Sequence, residues 1–389
     1  MIGLLLAGLV ACGSTGSDPA AADVQRLLDR RAQAVLYGNG SAYVTTWAPS
    51  GERAAARTEF ERLRALPLES WSYRVTGFHR SGDRATAEAD LSYRIAGYDK
   101  APLVAARTLS LRRAEGHWYV AADRPAKDAS EQLWEQGAVQ VARGEHSLIL
   151  GVGQSTKALR GYAELADRAV PAVREAWGEE WSGRVVVLVP ESLEEMAQLL
   201  GAPASGYRGI AAVTTGETGG AAKAPADRIV VNPDAYAVLG GFGRQVVLTH
   251  ETTHVATRAQ TSAATPLWLS EGYADWVGYR GTGRGPAQVA PELRDAVREG
   301  RAPGGLPADK DFEFGGEAGG LAEAYEAGWM ACRLIAERWG EVRLGEFYRA
   351  VGAHGSREGA VEDAMRDVLE TTPEKFTEQW RAYLGSQLG

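Results

Sequence analysis

Thr249-His250-Glu251-Thr252-Thr253-His254-Val255 is the stretch from which the reading of this chain starts. It falls within Phe242 to Thr257, whose apolar spacing predicts a helix. Residues four apart on a helix lie one turn above each other on the same face. His250 and His254 therefore present two imidazole nitrogens to one metal ion. Glu251 is displaced from His250 by about 100° around the helix axis. It flanks such an ion without ligating it and can reach a water held there. His79, His117, His146 and His354 have no ligand spacing and read as structural.

Downstream comes Pro266-Leu267-Trp268-Leu269-Ser270-Glu271-Gly272-Tyr273-Ala274-Asp275-Trp276. It predicts a second helix, with Thr265 as N-cap and Pro266 in the first turn, where proline is tolerated. Two histidines need a third protein donor if a zinc ion is to keep one open position. Glu271 supplies that carboxylate once the connecting loop turns the second helix back. Asp275, one turn further on, is placed to accept a hydrogen bond from the remaining ring nitrogen of a ligand histidine, His250 in the first place. Such a carboxylate sets the tautomer and orientation of the ring. The expected cofactor is one Zn2+ per chain, held by His250, His254 and Glu271.

The rest of the chain frames this pair of helices. At 389 residues the length favours two domains. Hydrophobic residues make up 45%, enough for a sizeable core. The formal net charge of -8 argues against a nucleic-acid partner, because phosphate binding requires a basic surface. Ile2 to Ala11 is an apolar run of signal-peptide length, too short to span a bilayer, which takes roughly 20 residues. It ends in Leu9-Val10-Ala11-Cys12 followed by small residues, which resembles a bacterial lipobox. The resemblance implies lipidation of Cys12, a membrane anchor and an extracytoplasmic location, with a tether to about residue 20 lifting the fold off the membrane. The alternative is a cleaved secretory peptide. Cys12 and Cys332 are the two cysteines, so neither a disulfide framework nor a cysteine metal site is expected. Cys332 lies in an apparent helix and reads as a buried apolar side chain.

From Ala21 to Arg64 helical periods dominate, over Ala21–Gly38, Ala42–Trp47 and Ala54–Arg64. From Ser70 the period becomes two. Trp71 to Val75, Ala85 to Ile95, Leu103 to Leu111 and Trp118 to Ala121 predict strands, separated by turns at Ser81-Gly82-Asp83, Gly97-Tyr98-Asp99 and Glu115-Gly116. Helices followed by a meander give an α+β domain over residues 21–125 that resembles the NTF2-like cone in its pattern. The polar run Arg124 to Glu131, with Pro125, marks a boundary. Beyond it, strands are predicted over Val139–Leu150, Arg184–Pro190, Gly209–Thr214 and Arg228–Asn232. Helices are predicted over Thr156–Trp177, interrupted at Pro171, over Ser192–Leu200, and through most of the chain from Ala322. This second domain, 126–389, is again α+β, with a small mixed sheet.

The His-Glu-x-x-His motif followed by Trp268-Leu269-Ser270-Glu271-Gly272-Tyr273-Ala274 resembles the gluzincin zinc metallopeptidases, the group of thermolysin and the aminopeptidase-N-like enzymes. The resemblance implies zinc binding by His250, His254 and Glu271, with Glu251 as general base in hydrolysis of a peptide or protein substrate. Glu271 and Asp275 also match the Glu-x-x-x-Asp arrangement of the thermolysin-like enzymes. Ala324-Tyr325-Glu326-Ala327-Gly328 resembles the Tyr-x-x-Gly stretch of the aminopeptidase group, which implies that Tyr325 stabilises the oxyanion. The chain departs from that group in two ways. Its gap between the second histidine and Glu271 is shorter, at the loop Arg258 to Thr265, and it lacks the Gly-x-Met-Glu-Asn strand whose glutamate binds a substrate amine. Gly209–Thr214 is the candidate edge strand in that place, and endopeptidase action is as open as aminopeptidase action. Two further readings stand beside the peptidase: a non-catalytic surface lipoprotein that binds a partner on a zincin scaffold, and a zinc amidohydrolase acting on cell-wall material. Gly304 to Gly320 reads either as a lid over the site or as a surface loop.

Overall fold

The computed structural model describes residues 18–49, 52–178, 181–215, 227–313 and 318–389. Cys12 with its apolar run, and part of Gly304 to Gly320, lie outside the described residues. The protein is α+β, and its described residues divide into two compact units. One holds the residues up to Phe60 with Trp71–Tyr93 and Val104–Lys127; the other holds Glu61–Ser70, Arg94–Leu103 and Asp128–Gly389.

Helix α1 (Pro19–Leu36) starts at an Asp18 cap and is followed by α2 (Gly40–Thr45), capped by Asn39, and by α3 (Glu52–Leu63), most of which belongs to the first unit. The strands β1 (Leu68–Ser81), β2 (Arg84–Ile95), β3 (Leu103–Ala114) and β4 (His117–Pro125) form a four-stranded sheet in chain order. Strand β2 buries Ala85, Ala87, Ala89, Leu91, Tyr93 and Ile95 in strict alternation, so one face of the sheet meets the core. That core holds an unexpected group of charges. Arg31 is fully buried and bonds Glu59 at 3.0 Å and Asp123 at 3.2 Å, while Arg107 bonds Asp123 at 2.8 Å. The Arg31 guanidinium lies over the rings of Tyr43 and Trp47, 4.4 and 4.9 Å from their centroids. Pairing and stacking together offset the cost of burying the cation.

From Asp128 on, the second unit holds α4 (Leu133–Gln136), then β5 (Gln140–Arg143) and β6 (Ser147–Gly151). These two strands pair antiparallel and replace the single strand expected over Val139–Leu150. Gly144, Glu145 and His146 make the turn, held by Asp167, whose carboxylate accepts from the backbone N–H of Glu145 and His146. Next come α5 (Thr156–Trp177), β7 (Val185–Val189), α6 (Leu193–Leu200), β8 (Ala212–Thr214) and β9 (Ile229–Val231). The sheet order is β5-β6-β7-β9-β8, with β6, β7 and β9 parallel and β8 antiparallel at the edge. Helix α5 runs through Pro171 without a break, contrary to expectation, because Ala166, Val170 and Val173 around the proline are buried against the sheet and neighbouring helices. The remainder is helical: α7 (Pro233–Ala237), α8 (Gly241–Thr257), α9 (Leu267–Tyr279), α10 (Pro286–Val289), α11 (Pro291–Arg298), α12 (Ala318–Trp339), α13 (Glu341–Ala353), α14 (Ala360–Leu369) and α15 (Pro373–Leu388). Their common core includes Trp268, Tyr273, Met330, Cys332, Tyr348 and Trp380, with Cys332 fully buried. Among the described residues no helix is long and apolar enough to cross a membrane.

Candidate metal centre

Helix α8 packs on α5 and on α9 and carries the His250–His254 pair. Its threonines are accommodated by bonding back to their own helix: Thr249 Oγ1 donates to Gln245 O, and Thr253 Oγ1 to Thr249 O. Helix α9 begins one residue later than expected. Thr265 is not its cap; Thr265 Oγ1 accepts from Ser262 N, and the Asp309 carboxylate accepts from Leu267 N instead. A residue more than forty positions away thus closes the helix start, which no local pattern announces.

The crossing of α9 with α12 is set by glycines. A Cβ at Gly272 would stand 2.4 Å from the backbone of Gly328, and one at Gly328 would stand 2.7 Å from Trp268 O. Only glycine lets the two backbones approach so closely. Glu271 precedes Gly272 on α9, and Tyr325 lies three residues before Gly328 on α12.

These elements bring together His250, Glu251, His254, Glu271, Asp275 and Tyr325. His250 Nε2 and His254 Nε2 are 2.9 Å apart, and Glu271 Oε2 lies 3.2 Å from the first and 3.4 Å from the second. Zinc bonds of about 2.0–2.1 Å at tetrahedral angles place their donors roughly 3.3–3.4 Å apart. The triangle is thus close to the size a zinc ion requires, slightly contracted between the histidines. Two imidazoles and a carboxylate are also a donor set that zinc favours. Asp275 Oδ1 is 2.8 Å from His250 Nδ1, which leaves Nε2 of that ring to face the other donors. The Tyr325 ring sits between two neighbours, its centroid 6.3 Å from that of His250 and 5.2 Å from that of Phe312.

The site is short of positive charge. Burial opposes charging His250, yet Asp275, Glu271 and Glu251 around it outweigh burial and hold its pKa well above the ordinary histidine value. Burial alone would raise the Glu271 carboxyl, but His254 and His250 pull it well below the usual carboxylate range. Glu251, His254 and Glu271 are all buried, at 5–6% exposure, so little water screens them. Carboxylates gathered around two imidazoles in a buried site are a charge arrangement that a divalent cation would neutralise. On donor type, spacing and charge, the residues present fit the metal.

One residue of the site escaped the sequence reading. Thr214, at the end of edge strand β8, is buried and donates from Oγ1 to Glu251 Oε2 at 2.8 Å; Oγ1 is also 3.1 Å from the main-chain oxygen of Glu251. The two residues are 37 apart, and no spacing rule links an edge strand to a helix at that distance.

No family model matches this chain, and no curated protein matches it significantly. Among solved structures, a two-domain M1 zinc metallopeptidase variant bound to L-arginine is similar at 14% identity and a TM-score of 0.38, over 83% of this chain and 63% of that one. This chain thus spans less than two thirds of that neighbour's length. Rv3472, a function unknown protein from Mycobacterium tuberculosis, is similar at 15% identity and a TM-score of 0.24, over 29% of this chain and 73% of its own. A protein named Rd1NTF2_05 is similar at 12% identity and a TM-score of 0.23, over 28% of this chain and 96% of its own. These likenesses assign the chain to no family.

Proposed function

We propose that this protein is a zinc-dependent peptidase, anchored outside the cytoplasm through a lipidated Cys12. The observation that carries the proposal is the triangle of His250, His254 and Glu271 donor atoms, 2.9 to 3.4 Å apart, with the Glu251 carboxylate supplied by α8, the helix of the two histidines. Zn2+ held there would acidify a water molecule and polarise the carbonyl of a scissile amide. Glu251 accepts the proton of the attacking water on its carboxylate as the oxygen bonds the carbonyl carbon. It returns that proton to the leaving nitrogen as the C–N bond breaks. Asp275 keeps the His250 Nδ1 proton and so directs Nε2 inward. Tyr325 presents its phenol to the oxygen that becomes negative. Strand β8, at the edge of the five-stranded sheet, is the element against which an extended peptide pairs.

The test compares the purified protein with Glu251→Gln, which keeps the proposed ligands and removes the base. Zinc is expected near one per chain in both. Cleavage of unstructured casein is expected in the wild type, lower by a factor on the order of 10²–10⁴ in the variant. Absence of zinc from both after metal supplementation would overturn the reading. Zinc in both with no cleavage of casein, of a peptide library or of wall fragments would favour a non-catalytic binding scaffold.

A further inference from the structure

We propose that Thr214 is a positioning residue for Glu251, and that its hydroxyl holds the direction of the carboxylate. The inference rests on the hydrolytic reading above and adds a residue to it. Thr214 is 2% exposed and Glu251 is 5% exposed, so the 2.8 Å contact between Oγ1 and Oε2 is shielded from water. A hydroxyl has one proton to give. Two oxygens lie within its reach, Oε2 and the main-chain oxygen of Glu251. The main-chain oxygen belongs to α8, where helix geometry already supplies it with a donor. The contact to Oε2 is the shorter of the two, 2.8 Å against 3.1 Å. The proton of Thr214 therefore goes to Oε2. That bond fixes the outer torsions of Glu251 and commits Oε2 to the strand. The carboxylate that takes the proton from water is thereby held in one direction.

The same bond has a second effect. Thr214 ends β8, the strand proposed to pair with an extended peptide. Just beyond it, Arg258 at the end of α8 donates to Thr215 O at 2.9 Å and pairs with Asp227 at 3.0 Å. Arg228 N donates to Thr215 Oγ1 and Thr215 N donates to Arg228 O, so the strand end is held from both sides. Thr214 joins the peptide-pairing edge to the base, and Arg258 keeps the two in register. Substrate position and the direction of the carboxylate are set by one connection.

Three proteins test this: wild type, Thr214→Val, which keeps the branched shape without the hydroxyl, and Thr214→Ser, which keeps the hydroxyl. Zinc content and melting temperature are expected to agree among all three. On a casein-derived peptide, kcat of Thr214→Val should fall roughly 10–100-fold with KM within about threefold, as for a misdirected reactive group, while Thr214→Ser stays within about threefold of wild type. Crystal structures of the metal-free proteins give a second readout that needs no turnover. Glu251 should hold one orientation in wild type and Thr214→Ser and more than one in Thr214→Val. The proposal is overturned if Thr214→Val retains the wild-type orientation of Glu251, if its kcat is unchanged, or if its loss of kcat comes with loss of zinc and of melting temperature. Should the wild type itself bind no zinc and cleave nothing, the hydrolytic reading fails, and the crystallographic comparison still decides whether Thr214 orients Glu251.

Discussion

His250 is bound on two sides at once. Its Nδ1 faces Asp275 and its Nε2 faces His254 and Glu271. Removing the negative charge of Asp275 leaves the ring in place but weakens both its basicity and its orientation. Asp275→Asn is expected to bind zinc about 10–100-fold more weakly, read by competition with a chromogenic chelator. Equal affinity in the two proteins would show that Asp275 does not act through the ring. Glu326, next to Tyr325, behaves differently. Burial pushes its carboxyl up to about 7, although the backbone N–H groups of Leu293 and Glu292 at the start of α11 favour its charged form. A carboxyl whose pKa is higher folded than unfolded binds its proton more readily in the folded state. Its contribution to stability is therefore complete below the ordinary value of 4.5 and is lost as pH rises through about 7. The side chain is partly exposed, which limits the effect to roughly 1–2 kcal/mol after allowance for screening. The stability of Glu326→Gln relative to wild type should rise between pH 5 and pH 8, measured by thermal melts across that range. A flat difference would contradict the assignment.

At the scale of elements, the contact of α9 with α12 carries the most consequence. The glycine of the Tyr-x-x-Gly stretch has a packing reason: Gly328 lies against Trp268 O, and Gly272 against Gly328. A methyl group at Gly328 meets backbone, which cannot swing aside as a side chain can. Gly328→Ala should destabilise the protein by about 1–3 kcal/mol or more, seen as a lower denaturant midpoint. It should also reduce zinc affinity, because the displaced α9 carries Glu271. An unchanged midpoint would mean that the helices separate at no cost. Helix α5 shows the opposite balance. Pro171 removes one backbone donor, and the buried side chains around it sustain the helix regardless.

At the scale of the whole molecule, the proposed ligands come from α8 and α9, which converge only in the folded chain. A metal that binds the folded and not the unfolded state adds stability of about 2.7 kcal/mol at a hundredfold excess over Kd. Removing zinc with a chelator should lower the melting temperature, and added zinc should restore it. A melting temperature indifferent to chelation would argue against a metal held by His250, His254 and Glu271.

Much of this was legible in the chain because the relevant rules are local. Helical spacing placed His250 and His254 on one face, and the period of two marked the strands of the first unit, with β2 beginning within a residue of its expected start. Turn chemistry located most strand ends, but it did not divide β5 from β6, where Asp167 from another element holds the turn. The rest depended on pairs far apart in sequence. Asp309 at the start of α9, the buried Arg31 with Asp123, the Gly272–Gly328 crossing and Thr214 on Glu251 each join residues on separate elements. Sequence periodicity specifies which face of an element is apolar and which side chains share it. Which polar group waits across the gap is decided only when the elements pack, because burial forces each hydrogen-bonding atom to find a partner wherever the chain happens to bring one.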